Sequence, residues 1–214
     1  MTRDVMERTG QERHESDRKG KGEDKMKNRE LLFITTNKHK VMQAKAVLAP
    51  FGIGVKGLKR PYDEASDDSI EEIAAKAAKQ LADRLKRPVM VEDTGVFFDA
   101  YPGFPGAFPK FVFAGIGYDG LFRLLRGKDK RARFVSAVGF CRPREKAHVF
   151  RGEMKGRIQL RVTGAEKDVL PYERIFVPEG KRKPLVAFST DEKLGFLHRT
   201  KAMKKLARFL TRPI

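Results

Sequence analysis

The sequence predicts an α/β protein, on three observations. Short apolar runs of strand length alternate with stretches whose apolar residues recur at helical spacing. The first such run breaks into a polar turn ahead of a helix, and two long segments of strand character flank a proline-centred turn in the second half. At 214 residues and 40% hydrophobic content, the chain can bury a sizeable core as one large domain or two packed lobes.

Residues 1–28 hold few large apolar side chains and mix charges with glycine, so burial there cannot offset the entropy of ordering; disorder is expected. The working domain is expected over 29–214, with Met26 as a candidate internal start. Leu31-Leu32-Phe33-Ile34 is a buried strand that gives way to Thr35-Thr36-Asn37-Lys38-His39-Lys40. Val41, Ala44, Val47 and Leu48 then mark a helix that Pro50 and Gly52 stop. Ile53 to Leu58 is a second strand. Ser69 opens a helix with Glu72 three residues on, a capping box, and the Ala-rich stretch runs to about Leu85. Pro88 to Val91 is a third strand, and Gly95 to Pro109 an ordered Gly/Pro loop. Gly120 to Leu125 is helical. Arg133–Arg142 and Ala147–Gly152 form an antiparallel pair around Pro143, with a further strand at Arg157–Val162. A short strand at Ile175–Val177 and a basic amphipathic helix, His198–Leu210, close the chain.

Composition narrows the function classes. No stretch approaches the roughly 20 apolar residues of a membrane span, and the N-terminus lacks the apolar core of a secretory signal, so a cytoplasmic protein is expected. The single Cys141 lies in an apolar strand and is expected in the core. The formal charge is +18. Residues 1–28 carry eight Lys or Arg against seven Asp or Glu, so +17 resides in the body and the N-terminus is no basic arm. That excess fits solvated faces or an affinity for polyanions. Nucleic acid is the less favoured partner, because the aromatics sit in apolar or Gly/Pro contexts rather than among the lysines and arginines.

Two constellations carry chemistry. Thr35 to Lys40 sets hydroxyls, an amide and lysines at a helix N-terminus, where an anion is favoured, although such residues also serve simply as N-caps. Glu92-Asp93-Thr94-Gly95 follows an apolar strand, placing two carboxylates where open α/β sheets keep ligands; one or two carboxylates plus substrate phosphates suit magnesium. Tyr62-Asp63-Glu64-Ala65-Ser66-Asp67-Asp68 adds carboxylates ahead of a helix.

In this order, Thr35-x-Asn37-x-x-Lys40, Glu92-Asp93-Thr94-Gly95, Gly103-Phe104-Pro105-Gly106, Phe150-x-Gly152-x-x-x-Gly156-x-Ile158, Ile175-Phe176-x-Pro178-x-Gly180 and Glu192-Lys193 with His198-Arg199 resemble the inosine triphosphate pyrophosphatase family, its archaeal members above all. The resemblance spans about Met26 to Leu210. It implies an elongated mixed sheet with flanking helices forming two lobes around a cleft, and magnesium-dependent hydrolysis of ITP, dITP or XTP to the monophosphate and pyrophosphate. It also implies a homodimer. By position it makes Asp93 the catalytic base and, with Glu64, the magnesium carboxylate. Thr35, Asn37, Lys40, Thr94, Lys193, His198 and Arg199 would contact substrate, as would Lys76 or Lys79, between which the helix does not decide.

The base-recognition segment departs from the family's Phe-Gly-Tyr-Asp: here it reads Leu170-Pro171-Tyr172-Glu173, and Leu197 replaces the serine before His198-Arg199. Proline removes a donor and leucine a hydroxyl, so retained phosphate chemistry with altered base preference is expected. A silent nucleotide-binding paralogue and a polyanion-binding protein are the alternatives. Gly117-Tyr118-Asp119 is read as the start of a helix.

Overall fold

In the computed structural model, which describes residues 30–60, 69–167 and 169–212, the chain begins with β1 (Glu30–Ile34). Leu31 to Ile34 are all buried, as a continuous apolar run must be when both faces of a strand are covered. Asn37 starts α1 (Lys38–Leu48), accepting from the His39 and Lys40 amides, and a 3-10 turn at Ala49–Phe51 leads to β2 (Gly54–Leu58). In α2 (Ile70–Leu85) the Ser69–Glu72 capping box forms as expected. Its apolar stripe, including Ile70, Ile73, Ala74, Ala77, Ala78 and Leu81, is buried. The rest of the chain supplies β3 (Val89–Phe98), β4 (Pro105–Gly106), α3 (Pro109–Leu125), β5 (Arg131–Cys141), β6 (His148–Ile158), β7 (Phe176–Pro178), α4 (Thr190–Leu194) and α5 (His198–Leu210). The expected disorder of residues 1–28 and the carboxylate segment 62–68 lie outside the described residues.

Three boundaries correct the sequence expectation. β3 does not end at Val91 but runs on through the acidic pair to Phe98, because antiparallel pairing with β5 continues from Val89↔Cys141 to Phe98↔Ala132. The Gly95–Pro109 loop shrinks accordingly. α3 begins at Pro109 rather than Gly120; a break at Gly117 (φ 58°, ψ −165°) divides it, which disguised its first half. The separate strand at Arg157–Val162 does not exist as such: β6 is continuous to Ile158, paired with β5 throughout.

The seven strands form one mixed sheet in the order β2-β1-β3-β5-β6-β7, with β4 on β3. β1 is parallel to β2 and β3; the other pairings are antiparallel. At ~3.3 Å per residue β3, β5 and β6 span about 35 Å, so they traverse the sheet's full height. Their upper halves lie between α2 on one face and α1 with α5 on the other. Their lower halves build a second core with α3, Tyr172, Ile175, Phe176 and Leu185. The helices approach closely because two strand positions lack a Cβ. A Cβ on Gly139 would sit 2.2 Å from the Ala74 carbonyl oxygen of α2, and one on Gly152 would sit 2.0 Å from the His198 carbonyl oxygen of α5.

Candidate active site

A notch in the sheet sets the site. β1 pairs with β3 only as far as Ile34↔Val91, and β4 resumes pairing on β3 at Val96. Among the described residues, 92–95 thus have a strand neighbour on the β5 side alone. Into this gap falls Glu92-Asp93-Thr94-Gly95, and around it converge Thr35 and the start of α1. The Lys40 ammonium donates to the Glu92 backbone carbonyl at 2.9 Å, satisfying one acceptor that the missing strand leaves open.

Alternation along β3 sends Glu92 and Thr94 to the α1/α5 face and Asp93 to the α2 face. Glu92 is 2% exposed, and everything polar nearby turns to it. Lys40 Nζ lies 2.7 Å from Oε2 and Arg199 Nε 3.2 Å from Oε1. The Thr94 and Ser136 hydroxyls donate to Oε1 at 2.5 and 2.7 Å. Burial alone would raise its carboxyl; Arg199 and Lys40 outweigh that and hold it well below the usual carboxylate range. On the α1/α5 face of the notch two cations meet one carboxylate, which leaves positive charge there for an anionic ligand, while Asp93 faces the other side. Arg199 also donates to Gln43 of α1 through a short hydrogen bond, tying α5 to α1 across the site.

Of the Thr35–Lys40 segment, Thr35 Oγ1 accepts from the Asn37 amide, and Asn37 Oδ1 accepts from the amides of His39 and Lys40 at 2.9 and 3.2 Å. Asn37 is therefore an N-cap that consumes two of the helix's free donors. The loop borders an open cavity of about 510 Å³, lined also by Lys38, Lys45 and Lys59.

His198 opens α5 and is buried, its ring stacked on Phe134 with centroids 5.1 Å apart. Neither ring nitrogen has a hydrogen-bond partner among the described residues. Burial and, next, the neighbouring Arg199 push its pKa down to about 3, so the imidazole is neutral at physiological pH. Lys193, on α4, forms a 2.6 Å ion pair with Glu173, joining α4 to the segment Leu170–Glu173. Within that segment Leu170 is half-exposed and the Pro171 carbonyl accepts from the Tyr118 hydroxyl. Tyr172 is a core residue, packed on Phe98 and Phe113 with burial raising its phenol well above the ordinary value.

Asp93 is half-buried at the notch. Lys76 is exposed on α2, whereas Lys79 pairs with Asp83 at 2.5 Å beside Cys141. Cys141 stands opposite Val89, four residues up β3 from Asp93, so Lys79 lies away from the acidic pair. Glu64 lies outside the described residues. Among those described, no group of three or more acidic, His or Cys side chains could by itself hold a metal. A hard cation at Asp93 would need substrate oxygens or carboxylates from 62–68, an arrangement in keeping with magnesium's habit of binding one or two carboxylates and completing its shell from phosphate and water.

Sequence reasoning counted Glu92 with Asp93 as a ligand-side carboxylate, whereas it is buried and paired with Lys40 and Arg199, and it assigned no role to Ser136 or Gln43. Ser136 is a lone hydroxyl in an apolar strand, in register with Thr94. Gln43 stands three residues after Lys40, one turn along the same helical face. Tyr118, read only as a helix start, braces the Leu170–Glu173 segment.

The Ham1 family model matches residues 31–209. A dITP/XTP pyrophosphatase of Methanopyrus kandleri is 41% identical over 180 residues, covering 84% of this chain and 95% of the relative. Similarly named proteins of Thermococcus kodakarensis and Ignicoccus hospitalis are 35% and 36% identical, over 84% and 87% of this chain and 96% and 99% of their own. Among solved structures, the Ham1 protein of Staphylococcus aureus superposes with a TM-score of 0.70 at 26% identity, over 85% of this chain and 97% of that one. A family model that spans nearly every described residue, together with relatives at 35–41% identity over most of the chain, shows that the chain belongs to the Ham1 family.

Proposed function

We propose that this protein hydrolyses the triphosphates of non-standard purine nucleosides, ITP, dITP and XTP among them, to the monophosphate and pyrophosphate. The observation that carries the reading is the cation-rich notch at Glu92-Asp93-Thr94, in a chain whose relatives are named dITP/XTP pyrophosphatases. Water forms a new O–P bond at the α-phosphorus, the bond to the β-phosphate bridging oxygen breaks, and pyrophosphate leaves. Asp93 accepts the water's proton. Lys40, held by Glu92, and Lys193 on α4 offset triphosphate charge, with Thr35, Asn37, Thr94 and Lys76 as further contacts. Magnesium, held by Asp93 and Glu64, would polarise the phosphoryl oxygens and lower the cost of the departing charge.

The neutral, unpartnered His198 and the adjacent Arg199 are the proposed contacts to the purine; a 6-keto base offers acceptors that a donor-lined pocket would favour over adenine. Leu170, Pro171 and Glu173 border that end, with Tyr172 beneath them as core support. The exposed Phe111 and Ile116 on α3 support a homodimer. Among the described residues no helix is long and apolar enough to cross a membrane, and the buried lone Cys141 fits a cytoplasmic location.

Pyrophosphate release from ITP, dITP, XTP, GTP and ATP with magnesium tests the reading. Turnover should favour the 6-keto non-standard purines, and Asp93→Asn should lose at least about two orders of magnitude in kcat. No turnover of any triphosphate, or an unchanged Asp93→Asn rate, refutes it.

A further inference from the structure

The face of the sheet opposite α5 carries, below the end of α2, a groove of about 790 Å³ whose rim and floor are cationic: Arg131, Arg133, Arg151, Lys155, Arg157 and Lys181. These residues are far apart in sequence and gather because β5 and β6 present their odd-numbered side chains together. The register sets Arg131 directly opposite Arg157 and Arg133 directly opposite Lys155. Like charges in facing pairs destabilise a sheet, and here two such pairs are consecutive, within roughly 5 Å across the strands and ~7 Å along them. The three acidic residues of the groove do not balance them. Asp99 serves Arg133 and Arg131, Asp129 beside the groove also holds Arg131 at 2.6 Å, and Arg151 is shared by Glu153 and Glu71, so the uncompensated charge is that of Lys155 and Arg157. No ion pair reaches Lys155, Arg157 or Glu179 among the described residues.

An ordinary solvated sheet face would place opposite charges across the strands. This one concentrates positive charge where no described helix covers it. A second cavity, of about 450 Å³, shares Arg133 and Arg151 with the groove and is lined by Phe97 and Phe108. The Arg133 guanidinium stands 5.1 Å over the Phe97 ring, and Phe108 is 37% exposed. A line of cations leading to aromatic faces is the arrangement that holds a phosphodiester backbone while leaving its bases free to stack.

We infer that the β5–β6 groove binds single-stranded nucleic acid without sequence preference, its phosphates on Arg131, Arg133, Lys155 and Arg157 and a base at Phe108. This activity is separate from triphosphate hydrolysis and does not use the notch.

Fluorescence anisotropy of a labelled oligothymidylate on the full chain tests it. Binding should weaken at least about tenfold in Lys155→Glu with Arg157→Glu, and four phosphate contacts should give a log–log salt slope of about 3 that falls by roughly half in this variant. The control is Lys204→Glu with Arg208→Glu, an equal charge change on the exposed side of α5, across the sheet. It should bind within about twofold of the parent, and both variants should hydrolyse triphosphate at the parental rate. Equal weakening in the two variants would mean that the excess charge acts diffusely and would overturn the site. Duplex bound as tightly as single strand, a fall in triphosphate turnover, or a changed sedimentation coefficient in the groove variant would each overturn it too.

Discussion

Glu92 shows how one buried side chain can organise the groups around it. A carboxylate 2% exposed would be too costly to ionise alone, yet Lys40 and Arg199 keep it charged and it fixes both in return. Glu92→Gln should therefore destabilise the fold by about 3 kcal/mol, since two cations at the notch lose their partner, and should also depress turnover; urea unfolding alongside the triphosphate assay reads both. His198 gives the pH dependence. Its folded-state pKa, about 3, lies below the ordinary 6.5, so between those values the unfolded chain binds the additional proton. Stability is thus complete above about pH 6.5 and falls toward acid at up to about 1.4 kcal/mol per pH unit, with the Glu92 contribution beginning to be lost as well once the pH drops below the ordinary carboxyl value of 4.5. In His198→Phe, which keeps a ring against Phe134, the decline between about pH 6.5 and pH 5 should flatten; urea midpoints across that window check it.

Elements place these residues. α5 brings His198 and Arg199 to the notch because Gly152 lets it settle onto β6, its His198 carbonyl where a side chain would otherwise stand. Gly152→Ala should lift the start of α5, lowering stability by about 1–3 kcal/mol and weakening substrate binding more than the stability loss explains. A matched pair of unfolding and KM measurements separates the two effects. β6 carries a second device: Lys201 and Lys205 of α5 donate to the Glu153 and Arg151 carbonyls at 2.8 and 2.7 Å, covering acceptors on a strand that β7 pairs only at its end.

At the scale of the whole molecule, three long strands carry both halves of the protein, so the notch is framed by one continuous sheet rather than by a hinge between domains. Phe111 is 79% exposed and Ile116 40%, the apolar surface on which the proposed homodimer rests. Phe111→Asp should shift the protein toward monomer in sedimentation velocity while leaving its melting curve within about 1 kcal/mol of the parent.

The sequence by itself determined the elements whose signals are local. The Leu31–Ile34 run, the Ser69–Glu72 box, the Ala-rich stripe of α2 and the amphipathic α5 each declare themselves within a few turns or residues, because capping and periodicity depend on near neighbours. It also singled out Asp93 at a strand end and Lys40 beside it, the residues on which the proposed site rests. Only the tertiary structure decided what lies between elements distant in the chain. The alternation that separates Glu92 from Asp93, the convergence of Lys40, Ser136 and Arg199 on one carboxylate, and the commitment of Lys79 to Asp83 all depend on strand register and helix docking. The same holds for the facing cations of β5 and β6, beside Phe97 and Phe108. Composition separates these aromatics from the basic residues, but a sheet ignores sequence distance and joins whatever its register sets side by side.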